Sequence, residues 1–387
     1  MRFCNKILTT LFFLIGILQG GTARSYRSPV KDAYPILAWY SLDENHCSED
    51  NYRLLSEAGF NLSLTFFSKP DKLPKSLNMA EKYRVKLVML CRNVNSLESL
   101  TTITKYHKGF GMYYVSDEPS ADKFQEVGQK VGNYKRYDKE HMSYVNLLPN
   151  HASRQQMGTF FYKSYIKDFI RIAAPDFISF DNYPFVDGTF RRGYYENLET
   201  ISEICTEKGI PFWGFVRTGV GTHYSEATEG QLRFQAFCNI AYGAQGLQYF
   251  TYAVPDGYIS AILDSEYRPT RIYYIVKCIN AEIQRLHSFI DGSRVVKVWH
   301  ISNRGRGLRD VPEIESYLSG AQGFLFSLHI RSNRRYLMIV NKDYNSPQGL
   351  SIKFKKYIRV LNKGEKFLAR RNCTKTLAPG DFMIIQL

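Results

Sequence analysis

The sequence predicts an α/β chain, a (β/α)8 TIM barrel followed by a small C-terminal antiparallel β-sandwich domain. Three observations carry this. Between Tyr34 and His287, short β-rich runs alternate with helically spaced ones eight times. Those short runs are mostly apolar rather than alternating, as strands covered on both faces must be. After Asp291-Gly292 the helical spacing stops and only strand-like runs follow.

The eight strands read as YPILAWYSL (34–42), FNLSLTFF (60–67), VKLVMLC (85–91), GFGMYYVS (109–116), MSYVNLLP (142–149), FISFDNYPF (177–185), IPFWGFVRT (210–218) and GLQYFTYAV (246–254). Between them, SEDNYRLLSEAG (48–59) opens on capping residues and closes on Gly59, and YYENLETISEICTEKG (194–209) closes on Gly209 just before a strand. Eight such units over roughly 250 residues suit a closed barrel. An open doubly wound sheet is the competing architecture. It would place a glycine-rich phosphate loop after the first strand, where AWYSLDENHC has none. The domains are therefore 24–290 for the barrel and 291–387 for the β domain, where runs such as GFLFSLHI, RYLMIVNKD and DFMIIQL follow one another without a long helix.

Residues 1–23 read as a secretory signal, with Arg2 and Lys6 before the apolar run Leu11–Leu18 and small residues Gly21-Thr22-Ala23 after it. The run is shorter than the about 20 residues a membrane span needs. The expectation is a secreted or periplasmic protein with no membrane span and no lipid-anchor cysteine. The six cysteines after residue 23 show no paired spacing, so buried free thiols are expected. Of the formal charge of +15, residues 290–387 carry a net +11, from eighteen Lys and Arg against seven Asp and Glu. The basic character thus belongs to the C-terminal segment, where clusters such as KFKK alternate with apolar residues as an exposed strand would. No nucleic-acid motif accompanies it. The eight His show no metal-ligand spacing and no cofactor motif is present, so neither a metal nor a cofactor is expected.

In such barrels the chemistry sits where strands end, at the C-terminal face. The fourth strand ends in GMYYVSDEPS, which places Asp117 and Glu118 there. Asp181 lies toward the end of the sixth strand, Asn146 ends the fifth, and Trp39 and Tyr40 end the first. Arg217 ends the seventh, while Tyr249 and Tyr252 belong to the eighth. Carboxylates and aromatics around a barrel mouth meet the needs of glycosidic cleavage: one acid to protonate the leaving oxygen, a second to stabilise the cationic centre or activate water, and flat faces for sugar rings. Two adjacent carboxylates also disfavour ionising both, which raises one pKa into the range of a general acid. The plainer alternative makes Asp-Glu-Pro a helix start, with the acids at the positive helix end.

The segments GMYYVSDEPS, FISFDNYPF and LRFQAFCNIAYGAQGLQYFTY (232–252), in that order, resemble the β-galactosidase-like barrel glycoside hydrolases related to family 42. The closing LAPGDFMIIQL is similar to the last strands of the β domain that often follows such barrels. A nearer resemblance is to secreted bacterial proteins of glycan-utilisation systems. The resemblance implies glycoside hydrolysis with Glu118 as acid/base and Tyr183 beside the catalytic centre. Two positions depart from the family pattern. Asp117 stands where the family has Asn, and Val216 or Arg217 stands where a nucleophilic Glu ends strand seven. Asp181 is then the favoured second carboxylate. Glu226 or Glu229 folding back, or an Asp117–Glu118 pair in substrate-assisted cleavage, are the alternatives. Arg217 would recognise an acidic sugar or hold Asp181 ionised. The expected partner is a carbohydrate. A carbohydrate-binding protein on a degenerate, non-catalytic barrel is the competing function.

Overall fold

The computed structural model describes residues 26–300, 311–319, 323–361 and 367–387. The expected leader at 1–23 lies outside the described residues. Eight strands form a closed parallel barrel: β1 (Ile36–Trp39), β2 (Leu62–Phe67), β3 (Lys86–Cys91), β4 (Phe110–Asp117), β5 (Met142–Leu147), β6 (Ile178–Phe180), β7 (Phe212–Arg217) and β8 (Gly246–Phe250). Seven fall inside the runs read from the sequence, and β4 overruns its run (109–116) by one residue, Asp117. Eight main helices follow them in turn: α1 (Glu49–Glu57), α2 (Leu73–Lys82), α3 (Leu97–Thr104), α4 (Phe124–Tyr137), α5 (Tyr162–Ala173), α6 (Tyr194–Lys208), α7 (Glu229–Ala241) and α8 (Arg271–Arg285).

Strand side chains alternate between the barrel interior and the helix layer. One buried cluster fills the interior with Leu37, Trp39, Leu62, Leu64, Val88, Met112, Tyr114, Met142, Tyr144, Trp213 and Phe215. The residues between them, such as Ile36, Leu87, Ile178, Val216 and Leu247, join the outer cluster under the helices. At the N-terminal end Trp213 closes the barrel, its indole donating to Tyr26 Oη at 3.1 Å. Gly246 faces that ring; a Cβ there would stand 2.6 Å from it, so only glycine lets β8 pass.

The C-terminal unit has seven antiparallel strands: β9 (Arg294–His300), β10 (Ile314–Ser319), β11 (Phe324–Arg331), β12 (Arg334–Asn341), β13 (Gln348–Leu361), β14 (Phe367–Leu377) and β15 (Phe382–Gln386). They hydrogen-bond along one path, β9-β11-β12-β15-β13-β10, with β14 on β13. The 14-residue β13 pairs β10 near one end and β15 near the other, so the sheet curls over its own core as a half-barrel rather than dividing into two stacked sheets. One set of alternate residues, including Phe326, Leu337, Ile339 and Ile385, makes that core. The other set, including Leu325, Met338, Val340 and Ile384, packs on the barrel's outer cluster.

The helix between the two units is α7, and eleven of its residues, from Gly230 to Ala241, are buried. A helix apolar on all sides belongs inside a protein. A Cβ on Gly230 would meet Tyr344 O at 2.3 Å, and Gly380, at φ +64°, sits as tightly on Gly230 O. Arg233 on α7 holds the units together electrostatically. It donates to Glu282 on α8 at 3.1 and 2.7 Å and to Asp381, just before β15, at 2.6 Å. Arg233→Met would leave buried Asp381 and half-buried Glu282 facing each other without that cation. We predict a loss of about 3–5 kcal/mol of stability, measured by denaturant unfolding.

Candidate active site

Both strand pairing and backbone conformation bring the carboxylates together at the barrel mouth. On β4, Met112 and Tyr114 point inward, so unbroken alternation would send Ser116 inward and Asp117 outward. The β4–β5 register shifts between Tyr114 and Ser116, and Asp117 lies opposite the inward-facing Asn146. A bulge of this kind re-aims the residues that follow it. Glu118 then takes φ +45°, a left-handed conformation costly for a side chain with a Cβ, while its N–H donates to Asn146 O at 2.8 Å. The bulge and the left-handed turn together place two consecutive acids at one mouth. The helix-start reading is overturned: α4 begins only at Phe124, behind a short turn at Ala121–Lys123.

Asn146 joins Asp117 to Asp181. Its Nδ2 donates to Asp117 Oδ1 at 3.1 Å and to Asp181 Oδ1 at 3.0 Å. The amide is oriented from below: Ser179 Oγ donates to Asn146 Oδ1 at 2.8 Å, and Gln248 Nε2 donates to Ser179 Oγ at 2.9 Å. Tyr144 Oη donates to Gln248 Oε1 and accepts from Trp39 Nε1 at 3.0 Å. These side chains come from four strands and form a polar layer across an otherwise apolar interior. With every member paired, such a layer fixes the geometry above it.

Asp181 follows β6 directly and lies within hydrogen-bond reach of the Glu118 carboxyl. Two carboxyl oxygens in contact need a proton between them. Burial first, then the charge of Glu118 and the hydrogen bond with it, push the Asp181 carboxyl well above the usual carboxylate range, so Asp181 holds the proton. Asp117 is pushed up to about 6 by its surroundings, with Asn146 opposing and Glu118 adding. Asp117 is exposed toward the open mouth yet enclosed by protein on its other sides.

Aromatic rings surround this cluster. Trp39 contacts Phe250 at 5.4 Å and Phe215 at 6.0 Å between centroids, and Tyr183 stacks on Phe250 at 5.6 Å. Tyr40, also at positive φ, is 36% exposed beside Trp39. Tyr224 packs edge-on against Tyr183 and parallel to Tyr258. Asp117, Glu118, Asn146, Asp181, Trp39 and Tyr183 thus converge at the mouth, whereas Tyr40 follows the inward-facing Trp39 and its nearby charges are Asp256 and Asp43. Arg217 also points inward, but its Nη1 donates to Gly219 O and Ser225 O, and no contact with Asp181 accompanies it. The expectation that Arg217 keeps Asp181 ionised is overturned.

Tyr249 and Tyr252 require correction. On β8 the inward residues are Gln248 and Phe250, so Tyr249 faces the helix layer, where its Oη donates to Asn280 Oδ1 at 2.7 Å. Tyr252 is fully buried against Phe60, edge-on at 5.2 Å. Neither reaches the mouth. Glu226 is turned to Arg271 at 2.9 Å, and Glu229 opens α7 on the exposed surface, so neither folds back. Sequence reading missed Phe250, Tyr224, Tyr258, Ser179 and Gln248. Strict period-two counting along the sixth and eighth strands would have found Ser179, Gln248 and Phe250. The tyrosines sit on loops without such a signal.

Among the described residues no group of three or more His, Cys, Asp or Glu side chains is arranged to hold a metal, and no helix is long and apolar enough to cross a membrane. The six cysteines are free; five are buried and Cys278 is exposed.

No protein-family model matches the sequence, and no curated protein matches it. The fold is similar to solved structures. Amy13B of Eubacterium rectale superimposes with a TM-score of 0.53 at 8% identity, over 94% of this chain and 98% of that one. The α-amylase from H. orenii gives 0.53 at 8%, over 92% and 100%. AmyP in complex with maltose gives 0.51 at 7%, over 92% and 96%. At such identities the likeness is one of fold: the chain has the architecture of these barrels, with a β domain after the eighth helix.

The raised carboxyl pKa values give a signed prediction. A group that binds its proton more tightly folded than unfolded contributes stability at low pH, and that stability is lost as pH rises toward the folded pKa. Asp181→Asn mimics the protonated acid permanently. The melting temperature of this variant, relative to wild type, is predicted to rise as pH climbs from about 4, the value of an unfolded aspartate, toward neutrality. A difference that stays flat or moves the other way would contradict a protonated Asp181.

Proposed function

We propose that the protein is a glycoside hydrolase acting on an oligo- or polysaccharide, with Glu118 as the general acid. The observation that carries this is the set of Asp117 and Asp181, joined through Asn146, with Glu118 beside Asp181, at a barrel mouth walled by Trp39, Tyr183 and Phe250. Glu118 is the exposed member of the pair and meets the glycosidic oxygen. The proton shared between Glu118 and Asp181 passes through Glu118 to that oxygen as the bond to the anomeric carbon breaks. Water then adds to the anomeric carbon and returns a proton to the cluster.

With Asp181 hydrogen-bonded to Glu118, the two act in this reading as one acid pair rather than as carboxylates on opposite faces of the sugar. The opposite face is left to water or to a group of the sugar itself. The fold shared with the H. orenii α-amylase supports the general reading. The leader-like residues 1–23 support an extracytoplasmic site of action.

One observation favours a second reading, a sugar-binding protein without turnover. Arg217 ends β7, where the resembled family carries its nucleophile. Glu118→Gln separates the two. A hydrolase loses about 10²–10⁴-fold in kcat on released-sugar assays with mixed glycans while keeping its affinity. A binder shows no turnover in the wild type on any glycan.

A further inference from the structure

The Arg217 guanidinium is 1% exposed and meets no carboxylate among the described residues. Nη1 uses both its hydrogens, on Gly219 O at 2.6 Å and Ser225 O at 3.1 Å. Nε is buried with no partner, and Nη2 donates to none of the described groups. The unused edge of the guanidinium is therefore the Nε–Nη2 fork, two parallel donors spaced for two oxygens of one anion. A buried cation without a counter-ion costs several kcal/mol, and a protein rarely keeps one without use.

Its surroundings point to the mouth. The groups that act on it are the phenols of Tyr224, Tyr183 and Tyr258, with Tyr224 lying across the guanidinium at 4.9 Å. The same three phenols also lie within electrostatic range of the Asp181 carboxyl. Half-buried Arg191 also acts on Tyr224. It sits against His151, which burial and Arg191 itself keep neutral, so that imidazole adds no compensating charge. Asp187, a carboxylate that also acts on Tyr224, is taken by His223 at 3.0 Å.

We propose that Arg217 is the anchor for an anionic substituent on the sugar, a carboxylate or a sulfate, with Arg191 at the entrance. The substrate is then an acidic glycan, its charged group bound on one side of the Tyr183–Tyr224–Tyr258 wall and its scissile bond on the other. This rests on the carbohydrate reading of the mouth, but not on turnover.

The test is a binding measurement by calorimetry on the Glu118→Gln protein. The probes are a hexuronate, a sulfated hexose and an uncharged methyl hexoside, each up to tens of millimolar. One anionic sugar is expected to bind at least about 10-fold more tightly than the neutral one, and whichever anion wins names the substituent. Arg217→Lys on the same background keeps the charge but loses the fork. It should abolish most of that preference while leaving neutral-sugar affinity unchanged. Equal affinity for charged and neutral sugars, no binding of either anion, or a preference that survives Arg217→Lys overturns the proposal. Should Arg217→Lys fail to fold, Tyr224→Ala, which uncovers the fork, must strengthen anion binding for the proposal to stand. An anion preference in a protein without turnover would keep this inference and remove the hydrolase reading.

Discussion

Three carboxyl groups can share one small concavity only if protons and amide donors take up their repulsion. Here Asn146 offers one N–H to Asp117 and the other to Asp181, and Asp181 holds a proton against Glu118. The rest of the mouth follows from that constraint. The amide must not turn, so Ser179, Gln248 and Tyr144 hold it from inside the barrel. Asp181 is the less exposed member of the pair, which shields that proton from water. The arrangement also sets the chemistry, because an acid pair in contact works as one proton source on one side of a sugar.

The scaffold makes this arrangement through two local departures from regularity. Closing eight strands aims every second residue inward, and that rule alone would admit only one of two adjacent acids. The bulge after Tyr114 and the left-handed Glu118 admit both. Such strain persists only where neighbouring structure over-determines it. The Asn146 carbonyl holding the Glu118 N–H, and Tyr165 Oη holding Pro119 O at 2.6 Å, supply that support. The outer frame is stiffened in turn by α7, locked between barrel and β domain through Arg233.

Much of this was legible in the sequence. Continuous apolar runs marked all eight barrel strands, because parallel strands are buried on both faces, and strand ends located Asp117, Glu118, Asn146 and Asp181. What could not be read was side-chain direction. Tyr249 and Tyr252 were placed at the mouth by their nearness to a strand end, yet parity sends Tyr249 outward and the bend after Phe250 buries Tyr252. The bulge on β4 carries no glycine or proline to announce it. The partners of Arg217 are loop carbonyls, set by a turn whose geometry has no residue signature. The half-barrel curl of the C-terminal sheet depends on one long strand bending, which apolar runs alone do not reveal.

The account turns on a proton held at Asp181 near neutral pH. Difference infrared spectroscopy reads it directly through the carbonyl stretch of a protonated carboxylic acid. The account predicts such a band in the wild type at about pH 7.5, retained in Asp117→Asn and lost in Asp181→Asn. A wild-type spectrum with every carboxyl ionised, or a band that survives the Asp181 substitution, would contradict it.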